Sequence, residues 1–150
     1  MNKMLPLLLA AGLVLVSCQS VPKDIPTSLA ESEYFQLAYQ NSDRGNYRGA
    51  MAYYDTFLAR FPKDSSRDVE AHYEIAFLYY KMNDLPKSRD LFTQIVGEYK
   101  QKDSDTLPRW PLVLSNKLII IIDQELAALH PKPAATADAS KTTVPPAQSK

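Results

Sequence analysis

A helical pattern that occurs twice, 38 residues apart as from Ala38 to Ala76, constrains this chain more than any other feature. From Glu31 onward, Tyr34, Leu37, Ala38 and Asn41 fall at i, i+3, i+4 and i+7, one face of a helix. Arg44-Gly45-Asn46-Tyr47 interrupts it, with Gly45 where a helix C-cap takes a left-handed residue. Ala50, Tyr53, Tyr54, Phe57, Leu58 and Phe61 then form the inward face of a second helix, and Pro62 stops it. The pattern returns with His72, Ile75, Ala76 and Tyr79, a break at Asn83-Asp84-Leu85, and Ser88, Phe92 and Ile95. Only four glycines against nine tyrosines favour helices packed by aromatic rings over a turn-rich β fold.

Capping signals agree with these boundaries. Ser28 and Glu31 have the spacing of a capping box opening the first helix. Ser65 or Ser66 can cap the third helix and Asp84 the fourth, with Pro86 tolerated in its first turn. A third unit is half present. Pro108 and Pro111 suit a helix start, and Leu114, Leu118, Ile122, Leu126 and Leu129 form one stripe along Leu112 to Leu129. Leu118, Ile119, Ile120, Ile121 and Ile122 make the centre of this helix apolar nearly all round. Two readings stand: a helix that closes the array, partly covered by Trp110, or a surplus apolar face that docks a partner. The stretch 130–150, with four prolines, five alanines and no aromatic residue, has too little to bury and is expected to be a disordered tail.

Both units resemble the tetratricopeptide repeat (TPR), whose large, small, aromatic and proline positions fall at these spacings. The first unit keeps the Gly45-Asn46-Tyr47 turn and Pro62. The second carries Asn83 for the turn glycine, Ser88 for the small alanine and Lys100 in place of proline, and Ser65 to Asp68 stretch the period. The resemblance implies an all-α fold of about two and a half TPR-like hairpins, five helices forming a short solenoid over 28–129. It also implies a concave groove lined by the first helix of each hairpin. The groove positions fall on Phe35, Tyr39, Tyr73, Phe77 and Tyr80. Tyrosine supplies large contact area at low entropic cost, so such a cluster suits an extended or helical peptide.

The N-terminus carries a second signal. Lys3 precedes an apolar run from Met4 to Val16, too short to span a bilayer and suited to a secretory signal. It leads into Leu15-Val16-Ser17-Cys18, which resembles the bacterial lipobox, and Cys18 is the only cysteine. The resemblance implies a signal peptide over 1–17, cleavage before Cys18, and a diacylglycerol thioether with palmitate-type acyl chains on Cys18. Several chains anchor stably where one would be marginal. Residues 18–27 then form a tether. Gln19, where an aspartate would signal inner-membrane retention, leans toward a periplasm-facing outer-membrane anchor. The inner membrane and the cell surface stay open as alternatives.

Catalytic and metal-binding patterns are missing from the sequence. His72 and His130 are the only histidines, and neither has cysteine or carboxylate partners at ligand spacing. His72 sits at a repeat position normally filled by a large packing residue and is expected half-buried in the hairpin. No glycine-rich phosphate loop occurs, and Asp103 and Asp105 lie in a polar linker. Seventeen basic residues balance seventeen acidic ones, so no basic field attracts nucleic acid. The expectation is a non-enzymatic protein-binding scaffold with no catalytic or metal residues and no cofactor beyond the lipid.

Within TPR lipoproteins, Tyr54-Asp-Thr-Phe-Leu-Ala-Arg-Phe-Pro-Lys-Asp-Ser and Ala71-His-Tyr-Glu-Ile-Ala-Phe-Leu-Tyr-Tyr resemble the lipoprotein subunit of the outer-membrane β-barrel assembly machinery. This implies envelope partners, the barrel-assembly protein among them. Members of that subgroup carry around five repeats, more than this chain. Similar phrases occur in periplasmic TPR proteins of cell division, and a transport accessory or a purely structural envelope lipoprotein are further alternatives.

Overall fold

A computed structural model describes residues 20–61, 65–101 and 104–129. The order is α1 (Glu31–Asp43), α2 (Tyr47–Arg60), α3 (Ser65–Lys81), α4 (Leu85–Glu98), a 3₁₀ turn (Ser104–Thr106) and α5 (Arg109–Leu129). Five α-helices and no strand occur among the described residues, as two hairpins followed by a single helix. No helix among them is long and apolar enough to cross a membrane. The leader 1–17, Cys18, Pro62, Asp103, His130 and the tail 131–150 lie outside the described residues.

The two hairpin turns are built alike. After α1, Gly45 takes φ +75, its N–H bonds to Ser42 O, and Asn46 N–H bonds to Asn41 O at 2.8 Å. After α3, Asn83 takes φ 61, its N–H bonds to Tyr80 O, and Asp84 N–H bonds to Tyr79 O at 3.0 Å. This paired closure satisfies orphan carbonyls at a helix end and needs a left-handed residue. Asparagine tolerates that conformation better than other side chains, which is why Asn83 substitutes for glycine. The next residue caps the following helix in both hairpins. Asn46 accepts from Gly49 N–H at 3.1 Å, and Asp84 accepts from Lys87 N–H at 3.3 Å.

Equivalent positions bury equivalently. Ala38 and Ala76, Ala50 and Ser88, Tyr54 and Phe92, and Phe57 and Ile95 are all buried. The Ser88 hydroxyl fits the small position by donating to Ala76 O at 2.9 Å across the hairpin. Two clusters result. Tyr34, Phe57, Ala71 and Leu78 belong to the first, and Val69, Tyr73, Phe92 and Ile122 to the second. Each ring or branched chain removed from water contributes roughly 1.5–3 kcal/mol.

Several expectations need correction. The first helix begins at Glu31 with Ala30 as its N-cap, and the Glu33 carboxylate, rather than Ser28 with Glu31, receives the Ala30 N–H at 2.6 Å. Ser65 and Ser66 lie inside α3 rather than at its cap. The His72 side chain is about half covered, 45% of it exposed, but it is turned to the end of α4 rather than into the hairpin core, with Nδ1 3.6 Å from Glu98 Oε1. Its expected packing place is taken by Val69, Tyr73 and Ala76 toward α4 and by Ala71 and Leu78 toward the first hairpin. Leu114 and Leu129 lie outside the inward stripe of α5, which runs through Pro111, Ser115, Leu118 and Ile122 instead. Residues 20–30 are also more than a loose tether. Ile25 and Leu29 pack on the first cluster, Tyr34 Oη donates to Pro26 O at 3.1 Å, and Asn46 Nδ2 donates to Ser20 O at 2.9 Å.

Candidate partner groove

The five aromatic residues assigned to the groove split into packing and available surfaces. On α1, Phe35 presses edge-on against Tyr54 and Phe57, with ring centroids 5.2 and 5.0 Å away. The Arg67 guanidinium covers its ring at 4.9 Å. Tyr39, one turn later, is 68% exposed, and no ring contact among the described residues involves it. On α3, Tyr73 is buried between Phe92 and Trp110, whose rings lie 5.4 and 4.9 Å away. Burial, with Glu74 nearby, pushes the Tyr73 hydroxyl up to about 12. Phe77 stacks between Tyr73 and Tyr80 at 6.3 and 6.1 Å, and Tyr80 Oη donates to Glu125 Oε1 of α5 at 2.9 Å.

Tyr73, Phe77 and Tyr80 of α3 therefore form a ladder turned toward α5, with Phe77 and Tyr80 half-buried and Tyr73 largely spent on packing. A second stripe of α3 faces α1 and carries charge. Arg67 reaches Phe35, and Lys81 Nζ donates to Ser42 Oγ at 3.3 Å while lying 4.9 Å over the Tyr47 ring. Glu70 and Glu74 lie between these two cations by helical spacing. Burial, and then repulsion from Glu70, raises the Glu74 carboxyl above its ordinary value. Sequence reading passed over these charges because alternating acids and bases on a helix ordinarily describe a solvated face. Their position between two helices of an array becomes visible only once the hairpins are stacked.

On α5, the five central residues divide. Ile122 is buried, Leu118 and Ile119 pack on the second cluster, Ile121 is half-buried and Ile120 is exposed. Ser115 is fully buried in the inward stripe, and its Oγ has no hydrogen-bond partner among the described residues. The Arg89 guanidinium binds the Asp123 carboxylate across α4 and α5 and holds Asp123 below the usual carboxylate range.

His72 and Glu98 border a cleft of about 380 Å³ that also involves Asp68, Ser104 and Leu107. The Glu98 carboxylate, 3.6 Å away, lifts His72 above the ordinary histidine value, against the opposing effect of burial. Among the described residues, no group of three or more His, Cys, Asp or Glu is placed to hold a metal ion.

Comparison with known proteins follows the same two hairpins. The family described as "Tetratricopeptide repeat" matches residues 34–64 and 70–101, so TPR repeats are present. An uncharacterized protein of Treponema pallidum (strain Nichols) is 29% identical over 96 residues, covering 63% of this chain and 38% of the relative. The chain thus spans well under half of that relative's length. No solved structure matches.

Proposed function

We propose that the chain is a lipid-anchored envelope scaffold that binds another protein through the groove between the first helices of its TPR hairpins. The exposed Tyr39 on α1, together with the charged stripe of α3 that faces α1, carries this reading. Repeat arrays of this kind recognise proteins through such concave surfaces, and no residue set among those described favours catalysis. The lipid would sit on Cys18, joined through the segment that packs on the first hairpin, which would hold the array close to the membrane rather than at the end of a loose leash. Outer-membrane, periplasm-facing attachment is the localisation we favour. The narrower proposal is a role beside the β-barrel assembly protein, resting on the phrases around Tyr54–Ser65 and Ala71–Tyr80.

Two measurements test this reading separately. Metabolic labelling with a clickable palmitate analogue should mark the wild-type chain and leave Cys18→Ser unmarked and unprocessed. Equal labelling of both would remove the anchor. Crosslinking in the native envelope, followed by affinity purification and mass spectrometry, should recover one dominant protein partner that Tyr39→Ala loses. Recovery of the barrel-assembly protein supports the narrower role, whereas a transporter or division component redirects it. Retention of every partner by Tyr39→Ala would refute the groove.

A further inference from the structure

The N-terminal segment enters the array at one particular end. Ser20 O receives Asn46 Nδ2 at 2.9 Å in the turn between α1 and α2. Val21 shares an open cleft with Arg48 at the start of α2 and with Met82 and Asp84 in the turn between α3 and α4. Lys81 Nζ, donating to Ser42 Oγ at 3.3 Å, links the two turns. The segment then runs back along α1, where Pro26 O accepts from Tyr34 Oη in the first turn of that helix. Both hairpin turns therefore lie where the chain comes in. Cys18 is two residues before Ser20, a reach of at most about 7 Å. The opposite end is farther by the length of α2, 14 residues or about 21 Å. Formal charge has the same polarity. Within one helical turn of the near end stand Arg44, Arg48, Lys81 and Lys87 against Asp43 and Asp84. Arg44, Arg48 and Lys87 are exposed, and none of them is in an ion pair among the described residues. Glu125 lies a turn deeper and accepts from Tyr80 Oη. At the far end the balance reverses, with Glu31, Glu33, Asp68 and Glu98 against Arg60, Arg67 and Arg109.

We propose that the turn end of the array rests on the bilayer surface, where Arg44, Arg48 and Lys87 meet anionic phospholipid headgroups. This rests on the lipid at Cys18, and extends it from a point of attachment to a contact surface and an orientation. A basic side chain close to an anionic surface favours contact about fivefold, and the attraction fades within a Debye length of about 8 Å at physiological salt. The short reach from Cys18 keeps the turn end inside that range, while the acidic far end stands outside it. The covalent anchor makes the contact intramolecular, so three cations suffice where they would not hold a free chain on the membrane. Val21, 49% exposed, adds apolar surface at the same end. The helices then point toward the bilayer, with the start of α1 and of α3 turned away from it. The inference does not depend on the groove or on its partner.

Fluorescence quenching in the purified full-length lipoprotein, reconstituted into vesicles, tests it. The lipid consumes the Cys18 thiol, so an introduced cysteine alone takes the fluorophore. Asp43→Cys marks the turn end, and Ala59→Cys, exposed near the far end of α2, marks the other. In phosphatidylethanolamine–phosphatidylglycerol vesicles carrying a headgroup spin label, Asp43→Cys should be quenched at least about threefold more than Ala59→Cys. Adding Arg44→Glu, Arg48→Glu and Lys87→Glu together should lower the Asp43→Cys signal by at least about the same factor while circular dichroism stays helical. Phosphatidylcholine in place of phosphatidylglycerol should lower it likewise. Intact-mass measurement separates the two premises. A chain lacking the mass of the lipid would remove the anchor and this contact with it. A lipidated chain quenched equally at both positions, or more at Ala59→Cys, would overturn the orientation alone. Quenching at Asp43→Cys that ignores both the charge reversals and the lipid charge would overturn the headgroup contact.

Discussion

Ala76→Leu should be among the most damaging small changes in this protein. Ala76 is fully buried, and its carbonyl oxygen receives the Ser88 hydroxyl at 2.9 Å, so α3 and α4 approach closely at this point. Leucine adds three carbon atoms at a position with no solvent exposure. Overpacking of this kind costs about 1–3 kcal/mol. Pushing α4 outward also breaks the Ser88 bond, a further 0.5–1.5 kcal/mol or so. A combined loss of roughly 2–4 kcal/mol corresponds, at about 4–8 °C per kcal/mol for a domain near 100 residues, to a Tm lower by roughly 8–32 °C. Urea unfolding followed by far-ultraviolet circular dichroism measures the loss directly. Ala59→Leu makes the same chemical change at an exposed position of α2 and should stay within about 0.5 kcal/mol of wild type. Equal stability of Ala76→Leu and Ala59→Leu would refute the close-contact assignment and with it the register of the second repeat.

Three other outcomes are expected. Asn83→Gly should hold or slightly raise stability because φ is 61 there, whereas Asn83→Val should cost about 1–2 kcal/mol in a denaturant titration. Tyr39→Ala should leave Tm unchanged, while Tyr73→Ala, which empties a buried site between Phe92 and Trp110, should cost about 3–5 kcal/mol. His72 is raised above 6.5 in the folded chain by Glu98, so its protonation favours folding. That contribution is complete below 6.5 and disappears as pH climbs through the raised folded value. With side chains 45% and 35% exposed, it is well under 1 kcal/mol, and proton NMR titration of His72 in wild type and Glu98→Gln should show the value falling in the variant.

The repeated hairpin was legible because its signals are local and redundant. Gly45 and Asn83, Asn46 and Asp84, and Ala38 and Ala76 each announce a turn, a cap or a close contact within a few residues of chain. What escaped depended on neighbours distant in sequence. His72 occupies a packing position by spacing, yet α3 already fills both of its buried sides with other residues. Leu114 and Ser115 differ by 100° around a helix, and only the placement of α4 decides that the serine faces inward and the leucine outward. The capping box slipped by two residues because Ser28 and Glu33 both carry suitable side chains, and the fold uses the glutamate alone. Tyr73 was grouped with Tyr39 by its repeat position, but Trp110, on a helix with a less regular repeat, covers it.

Among the described helices, α3 is the one whose side chains enter both clusters, Ala71 and Leu78 on one side and Val69 and Ala76 on the other. Mechanically, it is the keystone of the array. The segment from Ser20 to Pro26 is tied to the first hairpin through Asn46 and Tyr34, and α3 is what joins that hairpin to the cluster that holds α5. The Phe77 and Tyr80 rings ride on that same helix, so the anchor-side hairpin and the aromatic ladder share one support.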